Sequence, residues 1–576
     1  MGDNTLLQEF PPVTTEVWEQ AIRKDLKGAD YAKKLLWPAE DGITVKPYYR
    51  AEDLVGLEYL DTAPGEFPYL RGAAPANQWR IREEVEARSP RQANRSALDA
   101  LAAGAEEVSF QLAVPDRQAL DTLLAGLDGV RVHFRQADPA LLELLLKAGT
   151  PARGSAAWDP FQDLDRAADF VGRARTGFRP LTIDGAHFEE SGATTVQEIA
   201  YTLAAGIDFL GEMQKRGVAP GRAAQSVAFL LSIGSNYFFQ IAKLRAFRLL
   251  WARAVESFGG SREDAKAEIH VRSSRWNKTL YDAHVNVLRG TTEAMSAALG
   301  GADSIAVMPF DAVYKQPDDA SRRLARNTQV ILKKEAQLDR VADAAGGSYY
   351  IEVLTESIAR EGWKAMQKIE ADGGYGKVRA TGTIEAELAK ARAAKETAVA
   401  FRRQTFLGTN QYPNLAEKAL ERLAPHDGQD IRRGAQAFEE IRLRTEHYAA
   451  NAGRRCRFLL AEIGDAKMRA ARSAFAANFF GCAGFEIVIQ SFPNVDAIAA
   501  AEAEVIVLCS SDAEYPNLAS ALIGKLKEAK RNLPVIVAGF PADSVEALKK
   551  AGVADFIHLR SNAVETLTAW QKKLGM

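Results

Sequence analysis

Between about residues 80 and 350, short and mostly apolar segments recur with helix-like segments between them. Such segments are typical of parallel strands that are buried on both faces. The candidate strands are residues 79–84, 108–113, 130–134, 180–183, 227–233, 269–273, 305–309 and 348–351. Eight strands that alternate with helices predict an α/β fold, a closed (β/α)8 TIM barrel.

The same alternation returns in the last part of the chain, with shorter helices. Predicted strands are residues 457–463, 485–489, 505–509, 534–539 and 556–558, and predicted helices are 466–480, 516–528, 544–550 and a final one. This pattern predicts an open parallel sheet of flavodoxin type, in which ligands bind at the carboxyl ends of the strands. The loop Gly464-Asp465-Ala466-Lys467 is therefore the first place to look for a ligand site.

The chain has 576 residues, more than a single hydrophobic core of about 250–300 residues accommodates. We expect an N-terminal helical arm over residues 1–40, a barrel over 41–400, a helical linker over 401–453 and a flavodoxin-like domain over 454–576. Thr14 or Thr15 is the expected cap of the arm helix. The apolar face of this helix needs either its own barrel or a partner to lie on.

Charge and composition exclude several classes of partner. Lys and Arg number 73 against 75 Asp and Glu, so there is no basic surplus for nucleic acid or an anionic membrane. No apolar run reaches the ~18 residues that cross a bilayer, and the N-terminus has no signal-peptide pattern. The three cysteines all follow residue 455, which argues against a disulfide framework. We expect a cytoplasmic protein that binds neither nucleic acid nor membrane.

Simple catalytic and metal-binding motifs are missing from the sequence. No Gly-x-Gly-x-x-Gly follows a predicted strand, and no two histidines have the helical spacing of a zinc site. His187 and His270 lie at positions where a barrel can carry catalytic residues, although a lone histidine is more often a packing residue. Lys243, Arg245 and Arg248 form either a solvated or salt-bridged helix face or a holder for phosphate or carboxylate.

Several longer stretches resemble the adenosylcobalamin-dependent acyl-CoA mutases, and methylmalonyl-CoA mutase in particular. They are residues 67–72, 184–194, 242–246, 289–295 and 324–329. The resemblance extends from about residue 40 to the end of the chain. It implies a barrel with acyl-CoA along its axis and a C-terminal domain that binds cobalamin, the same architecture that the strand pattern predicts.

The chain departs from this family in the C-terminal loop. The family carries Asp-x-His-x-x-Gly there, where the histidine ligates cobalt and the aspartate orients it. The matching run keeps Asp465 but has Lys467 and Ala470 at the other two positions. A protonated lysine has no lone pair for a metal, and alanine adds a Cβ where glycine lets the backbone approach the cofactor. Residues 510–515 add two acids and a bulky ring near this loop, and Asp543 is a further nearby candidate.

The barrel motifs depart from the family as well. The family's Arg-Gly-Pro-Tyr-Ala reads Arg-Gly-Ala-Ala-Pro over residues 71–75, so Ala74 replaces a tyrosine that contacts substrate. The family's Gly-Tyr-His reads Gly-Ala-His over residues 185–187, so Ala186 replaces a second tyrosine and His187 remains. The resemblance therefore implies that Ala74, Ala186 and His187 are vestigial positions and that no catalytic, cofactor or metal site is intact. A barrel without ligand can fill its axis with side chains.

This pattern of losses resembles the small, non-catalytic (beta) subunit of heterodimeric methylmalonyl-CoA mutases. The resemblance implies a homologous catalytic large subunit as partner, which binds acyl-CoA and adenosylcobalamin. That partner would interconvert (R)-methylmalonyl-CoA and succinyl-CoA by radical rearrangement, and this chain would bind no cofactor. Two alternatives stay open. One is a cobalamin-dependent or divergent acyl-CoA mutase active on its own, which Arg71 and His187 favour. The other is a regulatory protein that binds acyl-CoA through Lys243 and Arg245.

Overall fold

The computed structural model describes residues 13–151, 153–419, 421–423 and 433–576. The N-terminal arm carries helix α1 (Thr15–Asp25) and the short helix α2 (Tyr31–Leu35). Thr14 caps α1, since its hydroxyl accepts a hydrogen bond from the Val17 amide at 3.4 Å. Trp18 stacks on Tyr48 with ring centroids 4.6 Å apart, so the arm lies on the segment that leads into the barrel.

Parallel strands form the near-closed barrel that the sequence predicts. In the described part of the chain they are β1 (Arg80–Glu86), β2 (Glu107–Gln111), β3 (Arg131–Phe134), β4 (Arg153–Ala156), β5 (Phe178–Arg179 and Leu181–Asp184), β6 (Val227–Ile233), β7 (Ile269–Ser273) and β8 (Ser304–Ala306). Pro180 divides β5 because it has no N–H to donate. The first half of β5 pairs with β4 and the second half pairs with β6, so the sheet closes on itself at this strand.

Two of the barrel strands differ from the prediction. Residues 348–351 are not a strand, because they begin a long helix whose buried face includes Ile351, Leu354 and Ile358. The strand that the prediction missed is β4, whose Arg-Gly-Ser-Ala sequence has little strand propensity. The position of β4 is set by its close packing on β3. Gly154 has φ 138°, and a Cβ there would lie 1.8 Å from the Val132 carbonyl oxygen, so only glycine allows this approach.

Helices surround the barrel and bury its outer face. They are α3 (Pro90–Ala102), α4 (Arg117–Leu124), α5 (Pro139–Ala148), α6 (Leu164–Arg173), α7 (Ala186–Glu190), α8 (Thr195–Lys215), α9 (Pro220–Gln225), α10 (Tyr237–Ser257), α11 (Val285–Leu299), α12 (Asp319–Lys334), α13 (Tyr349–Ala371), α14 (Tyr375–Ala380) and α15 (Thr383–Ala400). Many of these helices begin at a capping residue that the local sequence supplies. Ser89 caps α3 with a proline in its first turn, and Thr194 and Gln197 form a capping box on α8. No helix among the described residues is long and apolar enough to cross a membrane.

Helix α16 (Gln436–Ala452) joins the barrel to the C-terminal domain. On the barrel side, Glu439 accepts from the Leu280 amide at 2.6 Å, and the Tyr281 hydroxyl donates to Glu446 at 2.9 Å. On the other side, Gln571 of the last helix donates to the Thr445 hydroxyl at 2.8 Å. These contacts hold the two domains against one helix.

The C-terminal domain has the predicted open parallel sheet. Its strands are β9 (Arg457–Glu462), β10 (Glu486–Ser491), β11 (Val505–Cys509), β12 (Val535–Ala538) and β13 (Asp555–Ile557), in the order β10-β9-β11-β12-β13. The helices are α17 (Ala466–Gly481), α18 (Val495–Ala500), α19 (Tyr515–Glu528), α20 (Val545–Ala551) and α21 (Ala563–Lys573). This is the flavodoxin-like strand order, in which the crevice for a ligand opens between the loops that follow β9 and β11.

Candidate functional site

The lower part of the barrel axis, at the amino ends of the strands, is filled by charged side chains. Glu268, just before β7, accepts hydrogen bonds from Arg179 at 2.6 Å, from Arg131 at 2.9 Å and from Arg80 at 3.4 Å. The three arginines come from β5, β3 and β1. Four inward side chains contributed by alternate strands form one layer of a TIM-barrel core. Here that layer is ionic rather than apolar.

A second carboxylate lies above this layer. Glu107 of β2 is fully buried and accepts from Arg80 Nε at 2.7 Å and from Arg82 Nε at 2.6 Å. Burial alone would raise the pKa of Glu107, but Arg82 and His133 outweigh it and hold this pKa well below the usual value. Glu107 is therefore an ionised group shared between two guanidiniums inside the barrel.

Two histidines meet across the axis above Glu107. The His133 ring from β3 and the His270 ring from β7 have centroids 4.8 Å apart, and both residues are buried. Each ring is held through Nδ1, His133 by the Ser155 hydroxyl and His270 by the Ser304 hydroxyl, both at 2.8 Å. Burial and the nearby Arg82 lower the pKa of both histidines. Because opposite strands supply the two rings, together they close the barrel axis.

These eight residues form one connected set, which we call the axial polar core. It consists of Arg80, Arg82, Glu107, Arg131, His133, Arg179, Glu268 and His270. Sequence reasoning considered only His270 among them. A signal was present, since charged or imidazole side chains alternate along three strands at residues 80 and 82, 131 and 133, and 268 and 270. On a strand such alternate positions share one face, and here it is the face toward the barrel axis.

Above the two rings, the carboxyl ends of the strands line an open cavity of about 250 Å³, which we call the mouth cavity. His187 lies exposed at its rim, and the His187 amide donates to Asp184 at 3.0 Å. Ala186 is buried at the start of α7. The cavity is lined by Arg82, Ser109, Gln111, His133, Phe134, Arg135, Gln136, Ser155, Ala157, Thr182, Asp184, His187, Glu190, Leu230, His270, Arg272 and Arg275.

Ala74 lies elsewhere, in an exposed turn before β1. A Cβ built on Gly301 would lie 3.8 Å from the Gly72 Cα, and Gly301 precedes β8, so this turn is at the amino ends of the strands. Arg71 at the start of the turn is paired with Asp343 at 2.7 Å. The structure therefore brings Ala186 and His187 together and places Ala74 at the opposite end of the barrel.

The basic cluster on α10 is engaged in buried pairs. Lys243 donates to Glu198 at 2.7 Å, and Arg245 donates to Glu352 at 2.7 Å, with all four side chains buried. Arg248 donates to a main-chain carbonyl at 2.8 Å. These contacts leave neither Lys243 nor Arg245 available to a CoA phosphate, and they match the salt-bridged interpretation of the cluster.

In the C-terminal domain, Asp465 acts as a helix cap. Its carboxylate accepts from the Met468 amide at 2.7 Å and so begins α17. Lys467 and Ala470 lie exposed on the first turns of that helix. Asp543, on the loop after β12, is also exposed.

The crevice between the loops after β9 and β11 is bridged by the chain itself. Glu514 accepts from the Asp465 amide at 3.2 Å, from the Ser510 hydroxyl at 2.7 Å and from the Ser511 hydroxyl at 2.6 Å. The two serine hydroxyls and the Asp465 amide lower the pKa of Glu514 to about 2. Gly464, at the end of this bridge, has φ 80°, a left-handed backbone conformation that favours glycine.

Tyr515 fills the space beside this bridge. The side chain is fully buried, and its hydroxyl donates to the Ala538 carbonyl at 2.7 Å and accepts from the Ser510 amide at 3.1 Å. It therefore ties the ends of β11 and β12 together at the edge where a ligand would enter.

These residues do not fit a cobalamin with a lower axial imidazole. Lys467 carries an ammonium where the family motif has that imidazole, and Glu514 and Tyr515 occupy the adjoining crevice. Among the described residues, no group of three or more His, Cys, Asp or Glu side chains is arranged to hold a metal ion.

Comparison with known proteins agrees with this architecture. The methylmalonyl-CoA mutase family model matches residues 38–129 and 160–478. The chain is 38% identical to the methylmalonyl-CoA mutase small subunit of Porphyromonas gingivalis, with 99% of both chains covered. It is 32% identical to the small subunit from Streptomyces virginiae, over 99% of this chain and 98% of that one. The large subunit from Streptomyces virginiae is 30% identical, over 75% of this chain and 66% of that subunit.

Proposed function

This chain belongs to the methylmalonyl-CoA mutase family, and from that membership we propose that it is the non-catalytic small subunit of a heterodimeric methylmalonyl-CoA mutase. Its partner would be a homologous large subunit, which interconverts (R)-methylmalonyl-CoA and succinyl-CoA in the cytoplasm. The partner would hold acyl-CoA and adenosylcobalamin, whose cobalt–carbon bond supplies the radical. This chain would stabilise and position the partner.

The observation that carries the proposal is the axial polar core. An acyl-CoA whose pantetheine chain runs along a barrel axis needs a continuous channel. In this barrel the His133 and His270 rings meet across the axis, and Glu268 and Glu107 fix the arginines below them. Removing one partner of a buried ion pair costs about 3–5 kcal/mol, so opening such a channel would require several losses of this size.

The C-terminal domain supports the same assignment. A flavodoxin-like domain binds its ligand in the crevice at the carboxyl edge, and here Glu514 bridges that crevice to the Asp465 amide. Lys467 adds a positive charge where the family motif carries a metal ligand. We therefore assign the cobalamin of the complex to the large subunit.

Affinity purification of the tagged chain from its native host tests the proposal. We expect an equimolar, larger chain that carries Asp-x-His-x-x-Gly, together with cobalamin absorbance and mutase activity. A chain that purifies alone or as a homodimer would contradict the heterodimer.

The isolated chain provides the control. After incubation with adenosylcobalamin and gel filtration, we expect no cobalamin absorbance on the protein and no turnover of methylmalonyl-CoA. Stoichiometric cobalamin with turnover would favour an independent mutase. Tight acyl-CoA binding by the chain alone would favour a regulatory acyl-CoA-binding protein.

A further inference from the structure

Two adjoining groups of aromatic rings lie on the surface where the N-terminal arm meets the barrel. We call them together the aromatic surface, which consists of Trp18, Tyr48, Tyr49, Tyr237, Phe238 and Tyr350. Neighbouring ring centroids within each group are 4.6 to 5.3 Å apart, and the consecutive residues Tyr48 and Tyr49 join the two groups. None of these six side chains is buried, and Trp18 and Phe238 are 45% and 48% exposed. Exposed clusters of large apolar side chains mark sites where another molecule binds.

The N-terminal arm adds further exposed apolar side chains beside this surface. Residues 13–42 are all described, and they contain no buried side chain. Arg50 holds the arm, since its guanidinium donates to the Val13 carbonyl at 2.6 Å and lies over the Trp18 ring at 5.6 Å. Val13, Val17 and Trp37 nevertheless remain exposed. The barrel of this chain therefore does not bury the apolar face of the arm helix, and a partner is left for that role.

The extent of this exposed region fits a protein rather than a small ligand. Each side of a standard protein–protein interface contributes roughly 20–30 residues and about 800 Å². Residues 13–42 alone supply a run of that length, and Phe238, Tyr349 and Tyr350 continue it on the barrel. Aromatic residues also carry much of the binding energy of such interfaces. The region therefore has both the extent and the side chains of a stable interface.

The position of the arm in the chain indicates which partner it serves. Residues 1–37 precede the part that the methylmalonyl-CoA mutase family model matches. The alignments with two small subunits cover 99% of this chain and so include most of the arm. The arm is thus shared with small subunits but lies outside the region that the family model describes. Such a segment favours contact with the large subunit, which a chain that works alone does not need.

We propose that the large subunit of the complex docks on the aromatic surface and on the exposed side of the arm. This inference rests on the proposed function and names the surface through which that function operates. Apolar side chains of the large subunit cover Val17, Trp18 and Phe238 and remove them from water, which is the main driving force of association. Tryptophan and phenylalanine rings contribute strongly because each of them buries a large apolar area.

Hydrogen exchange read by mass spectrometry tests the docking surface directly. The full chain is compared alone and in complex with the copurified larger chain that carries Asp-x-His-x-x-Gly. Because no side chain of helix α1 is buried, its amides should exchange rapidly in the free chain and at least about tenfold more slowly in the complex. The short helix α20 of the C-terminal domain is the internal reference and should exchange equally in both samples. Unchanged exchange of α1 in a complex that does form would overturn the proposal.

Two substitutions link the affinity to this surface, and each has a matched control. Phe238→Asp places a charge in the aromatic surface, and Phe540→Asp does the same at a ring in the C-terminal domain that is 47% exposed. Val17→Asp on the arm helix is matched by Val341→Asp, since both valines are exposed. We expect the first member of each pair to raise the dissociation constant for the large subunit about tenfold to a hundredfold, as measured by biolayer interferometry. The two controls should change this constant by less than about twofold.

The outcomes separate this inference from the proposed function. If Phe238→Asp does not fold, as judged by circular dichroism, Val17→Asp decides the question, because Val17 lies on a helix without buried side chains. Undiminished affinity of Val17→Asp, or equal losses in the controls, would overturn the docking surface while the heterodimer stands. If the same variants instead dissociate a homodimer in analytical ultracentrifugation, the surface belongs to a second copy of this chain and the large subunit is not its occupant. If no large subunit copurifies, the proposed function fails and this inference fails with it.

Discussion

The two domains of this chain close their potential ligand sites in different ways. In the barrel, the axis is closed by charged and imidazole side chains that belong to the strands themselves, such as Glu107 and His270. In the C-terminal domain, both faces of the sheet are apolar, with Leu460 and Val507 on one side and Leu459 and Ile506 on the other. There the crevice is bridged by loop residues at the ends of the strands.

The difference shows which closure is harder to reverse. Strand residues of a barrel do not move without loss of the sheet, and breaking one buried ion pair there costs about 3–5 kcal/mol. A loop bridge such as that of Glu514 consists of a few hydrogen bonds, each with a net value of about 0.5–1.5 kcal/mol. The barrel axis is therefore the more permanent of the two closures, and four predictions test this contrast.

The largest effect is expected for Glu107→Gln in the axial polar core. This substitution leaves Arg80 and Arg82 without their shared carboxylate, and we expect the barrel to lose about 3–5 kcal/mol of unfolding free energy. Urea unfolding followed by circular dichroism measures the loss. The control is Glu143→Gln, which removes an exposed ion pair with Arg173 and should cost less than about 1 kcal/mol. Equal losses for the two variants would show that the axial polar core is no more stabilising than a surface pair.

A smaller effect is expected for Tyr515→Phe in the C-terminal domain. The substitution leaves the buried Ala538 carbonyl and Ser510 amide without their hydroxyl partner, at a cost of about 1–3 kcal/mol. Hydrogen exchange should speed up in β11 and β12 and stay unchanged in the barrel strands. Faster exchange across both domains would mean that the closures are not independent.

Acid should weaken the barrel through its two axial histidines. Burial and Arg82 lower the pKa of His133 and His270 in the folded chain, whereas histidines in an unfolded chain titrate near 6.5. The unfolded chain therefore binds more protons as pH falls, and the contribution of each histidine is full above about pH 7 and declines below it. At pH 6 the loss is at most about 1 kcal/mol for each histidine.

Histidine hydrogen exchange read by mass spectrometry between pH 5 and 8 measures these pKa values directly. Both axial histidines should titrate below 6.5 in the folded chain and near 6.5 in urea. A midpoint near 6.5 for either one in the folded chain would place that ring in contact with solvent and contradict a closed barrel axis.

The smallest effect is expected when the family's loop motif is restored. Lys467→His combined with Ala470→Gly recreates Asp-x-His-x-x-Gly, but Glu514 and Tyr515 still occupy the crevice. We expect no cobalamin absorbance to remain on the protein after gel filtration. Retained absorbance would show that the loop bridge yields to the cofactor, and that the two changed residues alone had removed the site.

Much of the fold was predictable because strand and helix periodicity is a local property. The predicted strands at residues 227–233, 269–273 and 505–509 agree with β6, β7 and β11, and the cap at Thr14 is one of the two expected. β4 was not predictable, since Arg153–Ala156 has no apolar run and becomes a strand only through its neighbours β3 and β5. The strand predicted at residues 348–351 was wrong because a short apolar and aromatic run suits a buried helix face as well as a strand.

The sequence by itself determined the barrel, the open sheet and the changed residues Ala74, Ala186, Lys467 and Ala470, because motifs and hydrophobic periodicity involve residues that are close together in the sequence. Only the tertiary structure decided what occupies the two sites. His133 and His270 are 137 positions apart and meet because β3 and β7 face each other across the axis. Glu514 reaches Asp465 because the topology makes β9 and β11 neighbours. Side chains that meet across a barrel or a crevice depend on strand order and register, which no local pattern encodes.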